Sequence, residues 1–197
     1  GVPAAVLLDT KGPEIRTGNF IRGEEMLENG QTFTLTTEAV DGTKDIVSVT
    51  YKDLPKEVAP GNIVLINDGK IVIKVTKTSE KEVEGIVVHG GRISNHKGIN
   101  LPNVKLNMQY ISGQDRDDIL FGIENDVDYI AASFVRSAGD VLEIKKLLAE
   151  NGGKEIKVIA KIESTQGIEN FEEILDAADG IMVARGDLGV EVAYEKL

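Results

Sequence analysis

The stretch from Lys157 to Asp187 constrains the fold more than any other part of the chain. Two short apolar runs, Lys157–Ile162 and residues 181–184, each end abruptly in charged or Gly-rich residues. Between them Phe171, Ile174, Leu175 and Ala178 recur at helical spacing, which predicts a single strand–helix–strand unit. Parallel strands joined through a helix carry both carboxyl ends on one edge of a sheet. Lys161 and Glu163, at the end of the first strand, are therefore expected to face the same space as Asp187 beyond the second. That edge is where α/β sheets, open or closed, bind ligands.

The residue types at that edge define a chemistry. Two carboxylates from adjacent strand ends, Glu163 and Asp187, suit a hard divalent cation such as Mg²⁺. This ion commonly takes one or two protein carboxylates and completes its shell with water and substrate oxygens. Lys161 points a compact ammonium at the same region, where it matches charge developing on a transferring phosphoryl group or an enolate. The run Arg185-Gly186-Asp187-Leu188-Gly189 offers unobstructed backbone N–H groups, a cradle for a carboxylate or phosphate. The competing reading of the same residues is a strand-end ion pair between Lys161 and Glu163, with Gly186 and Gly189 shaping a turn.

Charge narrows the partners. The 197 residues carry a net charge of −11, which argues against nucleic acid and membrane surfaces and leaves any phosphorylated ligand to local cations. Cysteine is absent, so thiolate metal sites and disulfides are excluded and a cytoplasmic setting is expected. No export signal and no long uncharged apolar run is found, so no membrane span is expected.

Residues 2–9 form a dense apolar run that predicts a strand buried on both faces, as in a parallel sheet. Gly12-Pro13 stops it, leaving Asp9 and Thr10 at its carboxyl end. From residue 18 to residue 96 the pattern changes to short segments rich in Val, Ile and Thr, at 32–36, 46–50, 62–66, 70–76 and 83–88. Asp41-Gly42, Pro60-Gly61 and Asp68-Gly69 punctuate them as turns. The reading is a small antiparallel β module (18–96) inserted between two parts of an α/β domain (1–17 and 97–197). Beyond it, Ser112 caps a helix through Ile119 and Ile123, Tyr129–Ala132 is a strand, and Val141, Ile144 and Leu148 mark a helix stopped by Asn151-Gly152-Gly153. His89 and His96 lack acid or nucleophile neighbours and are read as solvent-facing or loop histidines without a role.

Five segments carry a resemblance. Leu-Asp-Thr-Lys-Gly-Pro-Glu-Ile-Arg-Thr-Gly (8–18), Lys-Gly-Ile-Asn-Leu-Pro (97–102), Ala-Ser-Phe-Val-Arg (132–136), Lys-Ile-Glu (161–163) and Met-Val-Ala-Arg-Gly-Asp-Leu-Gly-Val-Glu (182–191) resemble the pyruvate kinase family, in order and in spacing. The resemblance implies a partial (β/α)8 TIM barrel, with the β module as a lid closing over nucleotide. It implies phosphoryl transfer between phosphoenolpyruvate and ADP, giving pyruvate and ATP in glycolysis.

It also implies roles for particular residues. Glu163 and Asp187 would hold Mg²⁺ (or Mn²⁺), while Asp9 and Thr10 would help bind K⁺. Lys161 would be catalytic, and Lys161, Gly186, Asp187 and Ser133 would meet the substrate. Arg16 and Lys97 would bind nucleotide phosphate. Ser164 stands where many members have Asn, at a position that is not a ligand. A homotetrameric parent enzyme is expected.

About four parallel strands lie outside the β module where a barrel needs eight, and the remaining length is roughly half that of a barrel. The chain therefore reads as a fragment, incomplete at both ends and inactive by itself. The alternatives are another Mg²⁺-dependent, enolate-forming barrel enzyme such as an aldolase or lyase, and a non-catalytic binding fragment. Neither the lid nor the Asp9–Arg16 element is needed by such a lyase.

Overall fold

The computed structural model describes residues 4–192. The chain divides into two units: one takes in the residues up to Pro13 and from Asn107 onward, and the other is Glu14–Leu106.

The α/β unit begins with β1 (Leu7–Asp9), after which the chain leaves it. The inserted unit holds β2 (Ile15–Arg16), β3 (Glu24–Leu27), β4 (Thr32–Thr36), β5 (Ile46–Ser48), helix α1 (Leu54–Glu57), β6 (Ile63–Ile66), β7 (Ile71–Thr78), β8 (Glu82–His89), β9 (Gly91–Ser94) and β10 (Gly98–Asn100). The chain returns with α2 (Gly113–Glu124), β11 (Tyr129–Ala132), α3 (Ala138–Glu150) and β12 (Lys157–Ile162). It continues through α4 (Thr165–Glu169), α5 (Phe171–Ala177), β13 (Gly180–Val183) and α6 (Arg185–Glu191).

In the inserted unit the seven-stranded order is β2-β10-β6-β7-β8-β4-β5. An isolated bridge joins Thr17 to Val49, and Gly18 N donates to Ser48 O at 2.8 Å. The two ends of the order are thereby linked, and the sheet closes on itself. Closure removes the unpaired edges that an open sheet of this size exposes. Val and Ile at alternate positions of β7 and β8 fill the interior, with Ile71, Ile73, Val75, Val83 and Val87 all buried.

Two expectations need correction here. The module is not wholly antiparallel, because β4 and β5 pair in parallel. The loop between them does not turn back directly. Gly42 instead packs against Phe20, whose ring carbon lies 2.7 Å from where a Gly42 Cβ would stand. Asp41-Gly42 is thus a close-approach point, and the chain crosses over before starting β5. In addition, β3 and β9 form a separate two-stranded antiparallel ribbon, which the charged Glu24-Glu25 start of β3 conceals from any period-two reading.

In the α/β unit the four strands run parallel in the order β1-β11-β12-β13. Val158, Ala160 and Ile162 of β12 face a core shared with Ile119, Ile144 and Ile174 of the helices. The opposite face carries Ile159 and Lys161, both half-buried. The run at residues 2–9 departs from its expectation: within the described residues only 7–9 form the strand, Val6 is 55% exposed and Leu7 43%. Residues 2 and 3 lie outside the described residues. The physical reason is position, since among the described residues β1 has one strand neighbour, β11.

The connection between β12 and β13 is also not one helix. It breaks at Asn170, whose side-chain amide donates to Arg136 O at 2.7 Å. Ser164 opens α4 by accepting the Gly167 N–H at 3.1 Å, which gives that residue a capping task.

Candidate active site

The sheet register sets the site. Asp9 pairs with Ala131, Ala132 with Ala160, and Ile162 with Val183. The carboxyl ends of β1, β11 and β12 therefore finish side by side, each followed at once by a polar residue.

These ends converge on one ammonium. Lys161 Nζ lies 2.9 Å from Ser133 Oγ, 3.1 Å from Asp9 Oδ1 and 3.2 Å from Glu163 Oε1. Ser133 Oγ also donates to Asp9 Oδ1 at 3.1 Å. Burial by itself disfavours the Lys161 charge, but the hydrogen bond to Asp9 and the charge of Glu163 outweigh it and raise its pKa above 10.5. The ion pair between Lys161 and Glu163 that the sequence offered as an alternative is thus present, inside a larger oxygen-lined cluster.

Glu163 is buried, and its second oxygen, Oε2, accepts the Phe134 N–H at 2.6 Å. Burial pushes its carboxyl pKa up; the Phe134 N–H and Lys161 pull the other way, and the charge of Asp187 adds to the rise. Asp187 itself is exposed in the first turn of α6. The stretch Arg185–Glu191 is helical, so the glycines of this run lie in a helix and not in an open loop. Ala184 opens α6 without a side-chain cap, leaving first-turn N–H groups, including those of Gly186 and Asp187, without intrahelical partners. A Cβ at Gly186 would meet nothing within 4 Å.

Thr10 is buried, donates from Oγ1 to Ala131 O at 3.3 Å and accepts the Ser133 N–H at 3.1 Å. Gly12 adopts φ +74°, and a Cβ there would stand 2.7 Å from Ser133 O. Only a residue without a Cβ fits that approach. Among the described residues no group of three or more His, Cys, Asp or Glu side chains is arranged to hold a metal ion. The donors available are carboxylate and hydroxyl oxygens, a set that suits Mg²⁺ in preference to softer metals.

Arg16 and Lys97 lie in the inserted unit, brought together by the Gly98–Arg16 pairing of β10 and β2. The Arg16 guanidinium contacts Glu14 at 2.8 and 2.9 Å and donates to His96 O at 2.8 Å. Lys97 N donates to Thr17 Oγ1 at 2.9 Å. His89 and His96 are exposed. Among the described residues no helix is long and apolar enough to cross a membrane.

Reading the sequence missed three contributors: Tyr110, Asp115 and the Phe134 backbone. Tyr110 OH donates to Ser133 O at 2.8 Å, and Asp115 Oδ1 accepts the Lys11 N–H at 2.8 Å. The Ser-x-x-Asp spacing of 112–115 could have flagged Asp115 as a capping partner. Nothing local marks Tyr110.

The family model described as "Pyruvate kinase, barrel domain" matches residues 1–197. The chain belongs to the pyruvate kinase family. It is 48% identical to a pyruvate kinase of Geobacillus stearothermophilus, covering 100% of this chain and 34% of that protein. It is 44% identical to one of Clostridium perfringens, covering 98% of this chain and 41% of the other. A crystal structure of a pyruvate kinase from Cryptosporidium parvum superimposes with a TM-score of 0.92 at 40% identity, covering 98% of this chain and 41% of that one. The chain thus spans well under half the length of these pyruvate kinases, and the α/β unit described above falls within the part that the family calls its barrel domain.

Proposed function

We propose that this chain is the central part of the catalytic barrel, with its inserted lid, of an enzyme that transfers the phosphoryl group of phosphoenolpyruvate to ADP. The observation that carries the reading is the convergence of Asp9, Ser133 and Glu163 oxygens on Lys161 Nζ at the carboxyl edge of a parallel sheet. Whole-chain similarity to pyruvate kinases supports it.

Glu163 and Asp187 would hold Mg²⁺ (or Mn²⁺), which would supply charge neutralisation to the transferring phosphoryl group. Asp9 and Thr10 would help hold K⁺, which would supply a fixed positive charge close by. The protein's own residues then position and stabilise. Lys161 opposes the negative charge that builds on the phosphoryl oxygens and on the enolate left behind. Ser133 orients that amine, and the first-turn N–H groups of Gly186 and Asp187 receive a substrate oxyanion. In the inserted unit Arg16 and Lys97 steady nucleotide phosphate, and lid closure excludes water. No covalent nucleophile is required, since phosphoryl transfer asks chiefly for positioning and charge stabilisation. A cytoplasmic, glycolytic, homotetrameric enzyme is the expected setting.

A coupled pyruvate-release assay with phosphoenolpyruvate, ADP, Mg²⁺ and K⁺, run on full-length protein carrying this sequence, tests the reading. Turnover that needs all four components supports it. Absence of turnover moves the assignment to another Mg²⁺-dependent, enolate-forming barrel enzyme.

A further inference from the structure

Resting on the reading of Glu163 as a metal ligand, we propose that Tyr110 is a positioning residue: its phenol locks the Ser133–Phe134 peptide in a strained orientation that presents the Phe134 N–H to Glu163. The peptide unit is planar, so its carbonyl and its N–H point in opposite directions and turn together. On one side Tyr110 OH donates to Ser133 O at 2.8 Å. On the other the Phe134 N–H donates to Glu163 Oε2 at 2.6 Å. Fixing the carbonyl therefore aims the amide.

The orientation is costly. Phe134 has φ +53°, the left-handed region that a residue with a Cβ enters at a cost of about 1–3 kcal/mol. Rotating the Ser133–Phe134 peptide by half a turn changes that φ to a negative, relaxed value. It also swings the N–H away from Glu163 and brings a carbonyl toward the carboxylate. Ser133 N and Oγ are tied to Thr10 and Asp9, but these bonds lie before the rotating peptide and do not hold it. The missing Cβ of Gly12 leaves room for the carbonyl.

Tyr110 is built to hold this position. It is buried, its ring lies beneath the Arg136 guanidinium at 5.9 Å, and Arg136 is fixed by Asp140 and Met108 O. Burial raises the phenol pKa well above 10.0, which keeps the donor proton in place.

Tyr110→Phe removes the donor and keeps the ring, so the core stays filled. Two measurements on the purified protein decide the matter: hydrogen exchange of the Phe134 amide by NMR, and Mn²⁺ affinity by calorimetry. Tyr110→Phe is expected to speed exchange at Phe134 and to weaken Mn²⁺ binding by about fivefold or more. Phe134→Gly abolishes the strain, so adding Tyr110→Phe to it is expected to change Mn²⁺ affinity by less than about twofold. Unchanged exchange in Tyr110→Phe, faster exchange with unchanged affinity, or an undiminished loss in the Gly background each overturns the proposal. Should the unaltered protein bind no Mn²⁺, the metal reading fails and the positioning role fails with it. The exchange measurement then still reports whether the phenol holds the peptide.

Discussion

At the scale of single residues, Lys161 dominates. It is the meeting point of Asp9, Ser133 and Glu163. Lys161→Met is expected to lower phosphoryl transfer by about 10²-fold or more, the scale of losing one preorganised charge donor. Mn²⁺ binding should survive, because the carboxylates remain; its loss would show that Lys161 holds the metal site together and does not act on the substrate. The same residue shapes the alkaline limit of stability. Burial opposes its charge, yet Asp9 and Glu163 raise its pKa above 10.5. A pKa raised on folding contributes stability that is complete below the unfolded value and is lost as pH rises through the folded one. Urea unfolding above pH 10 should therefore show falling stability, with a shallower fall in Lys161→Met. Identical slopes would contradict this account of the ion pair.

At the scale of elements, the site depends on how strand ends abut. Gly12 lets the segment after β1 pass within contact of Ser133 O beyond β11. Gly12→Ala adds both a clash and a left-handed alanine, and a loss of about 1–3 kcal/mol is expected in denaturant unfolding. Mn²⁺ affinity should fall as well, since Ser133 and the peptide after it are displaced. Ser112 is a milder case: it accepts the Asp115 N–H at 3.0 Å and donates to Asp115 Oδ2 at 2.9 Å. Ser112→Ala removes a cap worth about 1 kcal/mol, and a lowered Tm with unchanged metal affinity is the expected result. A drop in metal affinity there would mean that α2 and the segment after β1 move as one body.

At the scale of the whole molecule, the two units differ in how their edges are treated. The inserted sheet closes through Thr17 and Val49. In the parallel sheet, β1 and β13 each have a neighbour on one side only among the described residues. Val6, Leu7, Met182 and Val183 on or beside those strands are exposed. Unpaired edges flanked by apolar side chains favour association. The 197-residue chain alone is therefore expected to self-associate in light scattering and to give no pyruvate in the coupled assay. Robust turnover by monomeric chain would refute both expectations together.

Much of this was legible in the residues. Tyr129–Ala132 and Lys157–Ile162 are strands because short apolar runs bounded by polar residues admit little else, and both agree with β11 and β12. Ser112 and Asn151-Gly152-Gly153 bracket helices because capping chemistry is local. The positions of Lys161 and Glu163 follow from the same local logic. Burial did not follow, because Leu7 and Val6 are apolar but stand at a sheet edge, and only neighbours decide what is covered. Nor did the close approach of Gly42 to Phe20, or the charged strand pair β3 and β9. Sequence by itself determined which residues reach the carboxyl edge of the parallel sheet, since strand polarity and periodicity are properties of the local chain. Tertiary structure alone decided that Asp9, Ser133 and Glu163 meet on one ammonium and that Tyr110 grips the Ser133–Phe134 peptide. Those contacts join residues far apart in the chain, and no local preference encodes their distance.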